Sequence, residues 1–180
     1  MRTLLALLCL TLSIAGAGAL AADKATRTYP VGKFGAISIT VDSTWRETPP
    51  APNALPTFTW DSQVPGIFEM LMTPIPVAAG KVQSDADVRA LVEKSASEMA
   101  PQSQEKKLPL TPIAGPEARG YFFHATDPNP KPGEFRYVYQ GAVAVGNMLA
   151  TFTVLYNAGG EVDAKSALAS VQTLHYTPPK

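Results

Sequence analysis

The sequence predicts an α+β fold, an antiparallel sheet with helices packed on it. Two segments carry apolar residues at helical spacing, but each apolar stripe is too narrow to form the core of a helical bundle and must lie on a sheet. Segments in which apolar and polar residues alternate are grouped before and after the first helix, which favours an antiparallel layer structure over a doubly wound one. No glycine-rich turn joins a strand to a helix, which argues against a dinucleotide-binding fold.

Strands are predicted wherever apolar and polar residues alternate. In "FGAISITVDSTW" the side chains of Ile37, Ile39 and Val41 fall on one face of an extended chain. Residues 47–56 hold four prolines, which fix the backbone and remove hydrogen-bond donors, so this segment is predicted to be a surface loop. The other predicted strands cover residues 57–62, 67–77, 118–126, 133–145 and 148–157.

Prolines and glycines mark where these strands end. Pro74 and Pro76 place the end of segment 67–77 at a sheet edge or in a loop, because proline cannot donate to a strand ladder. The pair Gly146-Asn147 predicts the turn between the last two strands, which return antiparallel. The tail, residues 175–180, is predicted to be extended and partly frayed.

The clearest helix covers residues 84–100. Ser84 is predicted to cap its N-terminus, with Asp87 as the partner in a capping box, and Pro101 ends it. A second helix is predicted at about residues 162–173. The apolar stripe of the first helix consists of Val88, Leu91, Val92, Ser95 and Met99, and that of the second of Ala164, Ala167, Leu168 and Val171.

The N-terminal segment predicts export. A short basic start precedes an apolar run that fades into small residues, and Ala19-Leu20-Ala21 fits a signal-peptidase site. The strongly apolar part is about half as long as the roughly 20 residues that a membrane span needs. We therefore predict a signal peptide at residues 1–21, a single α+β domain at residues 22–180, no membrane span after cleavage, and a periplasmic location, with secretion as the second choice.

Composition excludes several classes of function. Cys9, the single cysteine, lies inside the predicted signal peptide, so the exported chain has no disulfide, no cysteine nucleophile and no thiolate metal site. Without Arg2, fourteen basic residues stand against fifteen acidic ones, so the surface has no overall attraction for nucleic acid. We predict no cofactor, no metal and no nucleic-acid partner.

The layout of the exported chain resembles the PsbP-like family. The stretches that carry the resemblance are "SITVDSTW", "SDADVRALVEKSASEM", "IAGPEARGYFF", "FRYVYQGAVAVGNMLATFTVL" and "AKSALASVQTL". The family includes a photosystem accessory protein, a Ran-binding Mog-type protein and bacterial periplasmic proteins such as DcrB. The resemblance implies an antiparallel sheet between helical layers and a non-enzymatic accessory or binding protein, here with an unidentified envelope protein as partner. The proline loop at residues 47–56 departs from the family pattern.

The segment from Gly120 to Gly141 holds the candidate binding residues. In "EFRYVYQG" the side chains of Phe135, Tyr137 and Tyr139 share one face of the predicted strand, opposite Arg136, Val138 and Gln140. Aromatic pairs across neighbouring strands stabilise a sheet, which explains much of the pattern without any function. Because tyrosine and arginine are also favoured at protein interfaces, we predict a protein-binding patch. Its members are Arg136, Tyr137, Tyr139, Asp127 and His124.

Two other functions stay open. The first is a carrier of a small apolar ligand, in a cleft between a helix and the sheet lined by residues such as Met70, Met72 and Met99. The second is a hydrolase centred on His124, with Asp127 or Glu134 as its partner, although no serine lies in a G-x-S-x-G motif. A histidine beside Phe122 is more often structural than catalytic, so we predict no catalytic residue.

Overall fold

The structure is a computed structural model that describes residues 23–50, 56–77 and 83–180. The described residues form ten strands, two α-helices and two short 3-10 helices at Gly32–Phe34 and Ala100–Gln102. The strands are β1 (Lys24–Pro30), β2 (Ala36–Asp42), β3 (Arg46–Thr48), β4 (Phe58–Asp61), β5 (Phe68–Pro76), β6 (Thr111–Ala114), β7 (Arg119–Thr126), β8 (Tyr137–Val145), β9 (Met148–Tyr156) and β10 (His175–Thr177), and the helices are α1 (Asp85–Met99) and α2 (Glu161–Gln172). The predicted signal peptide lies outside the described residues.

The strands pair in two antiparallel sheets. Seven strands run in the order β3-β4-β5-β9-β8-β7-β6, and three more run in the order β1-β2-β10. Helix α1 packs on one face of the large sheet, over β7 and β8. Helix α2 and the small sheet share a core with the opposite face. The predicted α+β class is confirmed, but the sheet that we expected to be single is two sheets.

Helix α1 begins as predicted, and its buried stripe matches the prediction in part. The Ser84 hydroxyl accepts a hydrogen bond from the Asp87 amide, and the Asp87 carboxylate accepts one from the Ser84 amide, so the capping box is confirmed. The buried residues are Val88, Val92 and Ala96. Leu91, which we placed in the core stripe, is 39% exposed because it lies beside the line along which helix and sheet touch.

Three strand predictions need correction. Strand β1 was not predicted, because as an edge strand it buries only Tyr29 and has no apolar alternation. Glu47 and Thr48, assigned to the proline loop, lie in β3, where Glu47 is opposite Trp60. Strand β8 begins only at Tyr137, since residues 131–134 form a turn. The tail, predicted to be extended and partly frayed, is extended, and its residues His175–Thr177 form β10, which pairs with β2.

Prolines lie along the margins of both sheets. Pro74 and Pro76 pair with β9 on one side. On the other side β4 reaches only as far as Met72, which pairs with Phe58, so the predicted position of both prolines at a sheet edge is confirmed. All four outermost strands are also next to prolines or contain one: β1 ends with Pro30, β3 is followed by Pro49-Pro50, β6 contains Pro112, and β10 is followed by Pro178-Pro179.

Candidate functional site

Five aromatic rings meet at one corner of the large sheet, on the face that carries α2. His124 lies opposite Tyr139 on β8, and Tyr137 lies opposite Tyr156 on β9, so the alternation of the strands turns all four rings to the same side. The centroids of Tyr137 and Tyr156 are 5.1 Å apart and those of His124 and Tyr139 are 5.0 Å apart. Phe122 completes the group with an edge contact to Tyr139 at 5.6 Å. We call these five residues the aromatic corner.

A hydrogen-bond chain runs through the corner. The Tyr156 hydroxyl donates to the Tyr139 hydroxyl at 3.3 Å and lies 3.2 Å from Nε2 of His124. Since the single hydroxyl proton of Tyr156 goes to Tyr139, Nε2 of His124 is the donor in the other bond, which assigns the Nε2–H tautomer of a neutral ring. Tyr156 is buried, whereas His124, Tyr137 and Tyr139 are half-buried.

Burial and one nearby carboxylate set the protonation of the corner. Burial lowers the pKa of His124, and the charge of Glu105 opposes that shift. For Glu105 itself burial would raise the pKa, but hydrogen bonds from the hydroxyl and amide of Thr126 outweigh it and lower the pKa. Burial, followed by the hydrogen bond with Tyr139, raises the pKa of Tyr156 well above its ordinary range. His124 and Tyr156 are therefore uncharged at neutral pH.

We expect His124 to titrate below the ordinary histidine pKa of 6.5, because burial disfavours the imidazolium. Glu105→Gln should move the midpoint lower still, since it removes the one charge that favours protonation. Both midpoints can be read from the imidazole carbon-bound proton signals in an NMR pH titration, with His124→Gln to assign the signal. A midpoint at or above 6.5, or a rise in Glu105→Gln, would contradict this account.

The other two residues of the predicted patch lie on the loop between β7 and β8. The Asp127 amide donates to the Arg136 carbonyl at 2.8 Å, which closes the loop at its base. The Arg136 amide donates to Oδ1 of Asn157 at 2.8 Å, which ties the loop to the end of β9. The Asp127 carboxylate accepts from the Asn129 amide at 2.8 Å, so it is engaged inside the loop.

This loop closes one end of a groove on the face that carries α1. The main hollow has a volume of about 300 Å³ and is walled by Met99 of α1 and by Phe135 and Arg136 of the loop. Its floor is formed by strand residues of β8 and β9, among them Gln140 and Thr153. A smaller hollow of about 80 Å³ continues past Gln140 beside the exposed Leu91.

The structure therefore divides the predicted protein-binding patch. His124, Tyr137 and Tyr139 lie in the aromatic corner, while Arg136 and Asp127 line the groove on the opposite face. The division follows the alternation that the sequence shows. Phe135 is the exception, because it precedes the strand and lines the groove with Arg136 instead of sharing a face with Tyr137.

Sequence reasoning missed Tyr156 and misplaced two methionines. Tyr156 links the rings of His124 and Tyr139, and only the register between β8 and β9 could have found it. Met70 and Met72 are fully buried in the core on the α2 face, so neither lines a cleft. Met99 alone lies in a cleft between a helix and the sheet, as expected.

The described residues hold neither a group of metal ligands nor a helix suited to crossing a membrane. Among residues 23–50, 56–77 and 83–180, no three His, Cys, Asp or Glu side chains are grouped closely enough to hold a metal ion. No helix in these same ranges has the length and apolar character needed to cross a membrane.

Comparison with known proteins identifies the fold. No family model and no curated protein matches the sequence. Among solved structures, the solution structure of cyanobacterial PsbP (CyanoP) from Synechocystis sp. PCC 6803 matches with a TM-score of 0.54 and 11% identity, over 89% of this chain and 96% of that chain. The fold is PsbP-like. The resemblance seen in the sequence is therefore supported at the level of the fold.

A second solved structure has a similar fold. A crystal structure from Bacteroides thetaiotaomicron VPI-5482 matches with a TM-score of 0.58 and 14% identity, over 84% of this chain. This chain spans about half of that protein, at 48% of its length. At such identities the PsbP-like likeness concerns the fold, and function has to be argued from the site.

Proposed function

We propose that the protein is a non-enzymatic accessory protein, exported to the periplasm, that binds another polypeptide of the cell envelope. The observation that carries the proposal is the aromatic corner. Its rings are held in register by three strands and by hydrogen bonds, yet His124, Tyr137 and Tyr139 remain partly open to solvent.

The corner has the physical properties of a binding surface. Tyrosine offers a large contact area for few rotatable bonds, so little side-chain entropy is lost when a partner covers it. Stacking fixes these rings further, with Tyr139 and Tyr156 at 5.4 Å. Since His124 and Tyr156 are uncharged, a partner that covers them has no buried ion to desolvate.

The groups considered for catalysis are engaged elsewhere, which supports a non-enzymatic role. His124 donates to Tyr156, a hydroxyl whose pKa burial raises. Asp127 accepts from Asn129, and Glu134 accepts from the Lys131 amide within the same loop. In a hydrolase, one of these carboxylates would orient the imidazole. The imidazole would then take the proton of a nearby hydroxyl of low pKa.

Replacing Tyr137 by alanine is expected to weaken partner binding about tenfold, because truncation of a central tyrosine commonly costs more than 1 kcal/mol at an interface. The immobilised protein is cross-linked in an envelope extract, and the captured polypeptides are quantified by mass spectrometry. Tyr121→Ala is the matched control, since Tyr121 is a half-buried tyrosine on the opposite face that bonds to Asp85.

Circular dichroism establishes that both variants are folded. If a folded Tyr137→Ala variant captures the same polypeptides as strongly as Tyr121→Ala does, the aromatic corner is not the binding surface.

The groove favours a second function, carriage of a small ligand. Its volume of about 300 Å³ is at the lower end of the range for small-molecule sites, and most of its accessible lining is apolar. It lies on the other face of the sheet from the aromatic corner, so the two functions do not compete for the same surface.

A further inference from the structure

The two hollows of the groove follow one another along α1, and both are lined by Gln140. One wall is the row Leu91, Ser95 and Met99 of α1, whose ends lie about 12 Å apart at 1.5 Å per helical residue. The floor runs along β8 from Val138 to Ala142, which span about 13 Å at 3.4 Å per residue. The two estimates agree.

One charge in the groove lacks a counter-ion. Arg136 is exposed and lines the larger hollow, and its guanidinium makes no hydrogen bond or ion pair with another described residue. Asp127 lines the same hollow and keeps its negative charge, but its carboxylate is held by the Asn129 amide inside the loop and makes no ion pair with Arg136. Glu134 faces Lys131 at 3.9 Å. The groove thus presents a cation at its loop end.

Apolar side chains follow this cation along the channel. Met99, Val138 and Leu155 lie in the larger hollow with Arg136, and Leu91 and Phe123 lie in the smaller one. Gln140 lines both hollows and so lies where they meet. The groove therefore has a cation at one end and apolar surface beyond it.

We infer that the groove binds a single-chain amphiphile with one anionic head group, the head on Arg136 and the chain along α1 toward Leu91. A channel of about 12 Å accommodates an extended chain of about ten carbon atoms, because each C–C bond of about 1.5 Å advances a zigzag chain by about 1.3 Å. The inference rests on ligand carriage, the second function proposed above, and specifies its ligand class.

The test compares two probes of equal chain length and opposite head charge, decanoate and decyltrimethylammonium, both kept below micelle formation. Isothermal titration calorimetry on the purified chain is expected to show decanoate binding at least tenfold more tightly. Arg136→Glu should reverse this preference. Arg119→Glu should not, since Arg119 is exposed on the same strand face as Ala125 but about 20 Å away along β7.

A blocking variant tests the position of the chain. Thr153 is half-buried on the groove floor, so Thr153→Phe fills the larger hollow and is expected to abolish binding of both probes. Equal binding of the two probes, with no response to Arg136→Glu, overturns the anionic head but leaves ligand carriage standing. Binding that survives Thr153→Phe overturns the groove as the site. If neither probe binds the wild-type protein, both the inference and ligand carriage are overturned.

Discussion

Replacing Gly141 by valine is expected to lower the free energy of unfolding by about 3 kcal/mol or more, the upper end of the cost of overpacking a core. Gly141 lies in the middle of β8, between Phe122 on β7 and Phe152 on β9. A Cβ atom at this position would collide with the backbone oxygen of Tyr121 and lie 2.6 Å from Cβ of Phe122 and 2.8 Å from Cζ of Phe152. These strands are paired on both sides, so their backbones cannot move apart without breaking other pairs.

Urea unfolding followed by circular dichroism measures this effect. Gly133→Ala is the control, because Gly133 has a φ of 89° and a Cβ atom there would meet nothing within 4 Å. Its expected cost is about 1 kcal/mol, which comes from backbone strain without any collision. Equal costs for Gly141→Val and Gly133→Ala would show that β8 can accommodate the added side chain.

Trp60→Ala is expected to cost about 3–5 kcal/mol, as is usual when a buried aromatic residue is truncated. Trp60 is 1% exposed on β4 and packs edge-on against Tyr29 of the small sheet, with centroids 5.9 Å apart. Tyr29 in turn stacks on Phe58 at 3.9 Å. The loss would therefore weaken the contact between the two sheets as well as leave a cavity.

A second substitution at this position separates packing from hydrogen bonding. The indole N–H of Trp60 makes no hydrogen bond of regular geometry with a described residue, and its one contact of this kind, to the buried Tyr29 hydroxyl, is weak. Trp60→Phe should therefore cost only about 1–2 kcal/mol, since it removes part of the ring and no hydrogen bond of regular geometry. Val162→Ala, at a side chain that is 79% exposed, should leave stability unchanged when the three variants are compared by urea unfolding. If Trp60→Phe and Trp60→Ala are equally destabilising, the volume of the Trp60 side chain does not determine its contribution to stability.

The elements with a buried face were predictable, and those without one were not. Strand β2 buries Ile37, Ile39 and Val41 in regular alternation, and α1 carries its cap at Ser84. Strand β1 exposes most of its side chains and is held by backbone pairing with β2, a long-range interaction that leaves no periodic pattern. Without β1 and β10 in view, the existence of a second sheet could not be inferred.

The candidate site was predictable to the level of strand faces. Alternation along "FRYVYQ" separates Arg136 from Tyr137 and Tyr139, and the structure has that separation. The partners of these residues come from distant parts of the chain, Tyr156 in the corner and Met99 in the groove. Which distant residues meet depends on register and on where α1 crosses the sheet, and both are tertiary properties.

The prolines at the sheet margins have a consequence for behaviour at high concentration. An outermost strand offers free backbone groups to which a second molecule can add a strand, and this is how many β-rich proteins begin to aggregate. Proline limits such growth at all four margins, since it lies within β6, at the end of β1 and directly after β3 and β10. Two ion pairs, Lys24 with Asp42 and Arg27 with Glu47, also lie along β1, and charged side chains on an outermost strand oppose the addition of another strand. Each open margin of the fold thus carries its own protection against self-association.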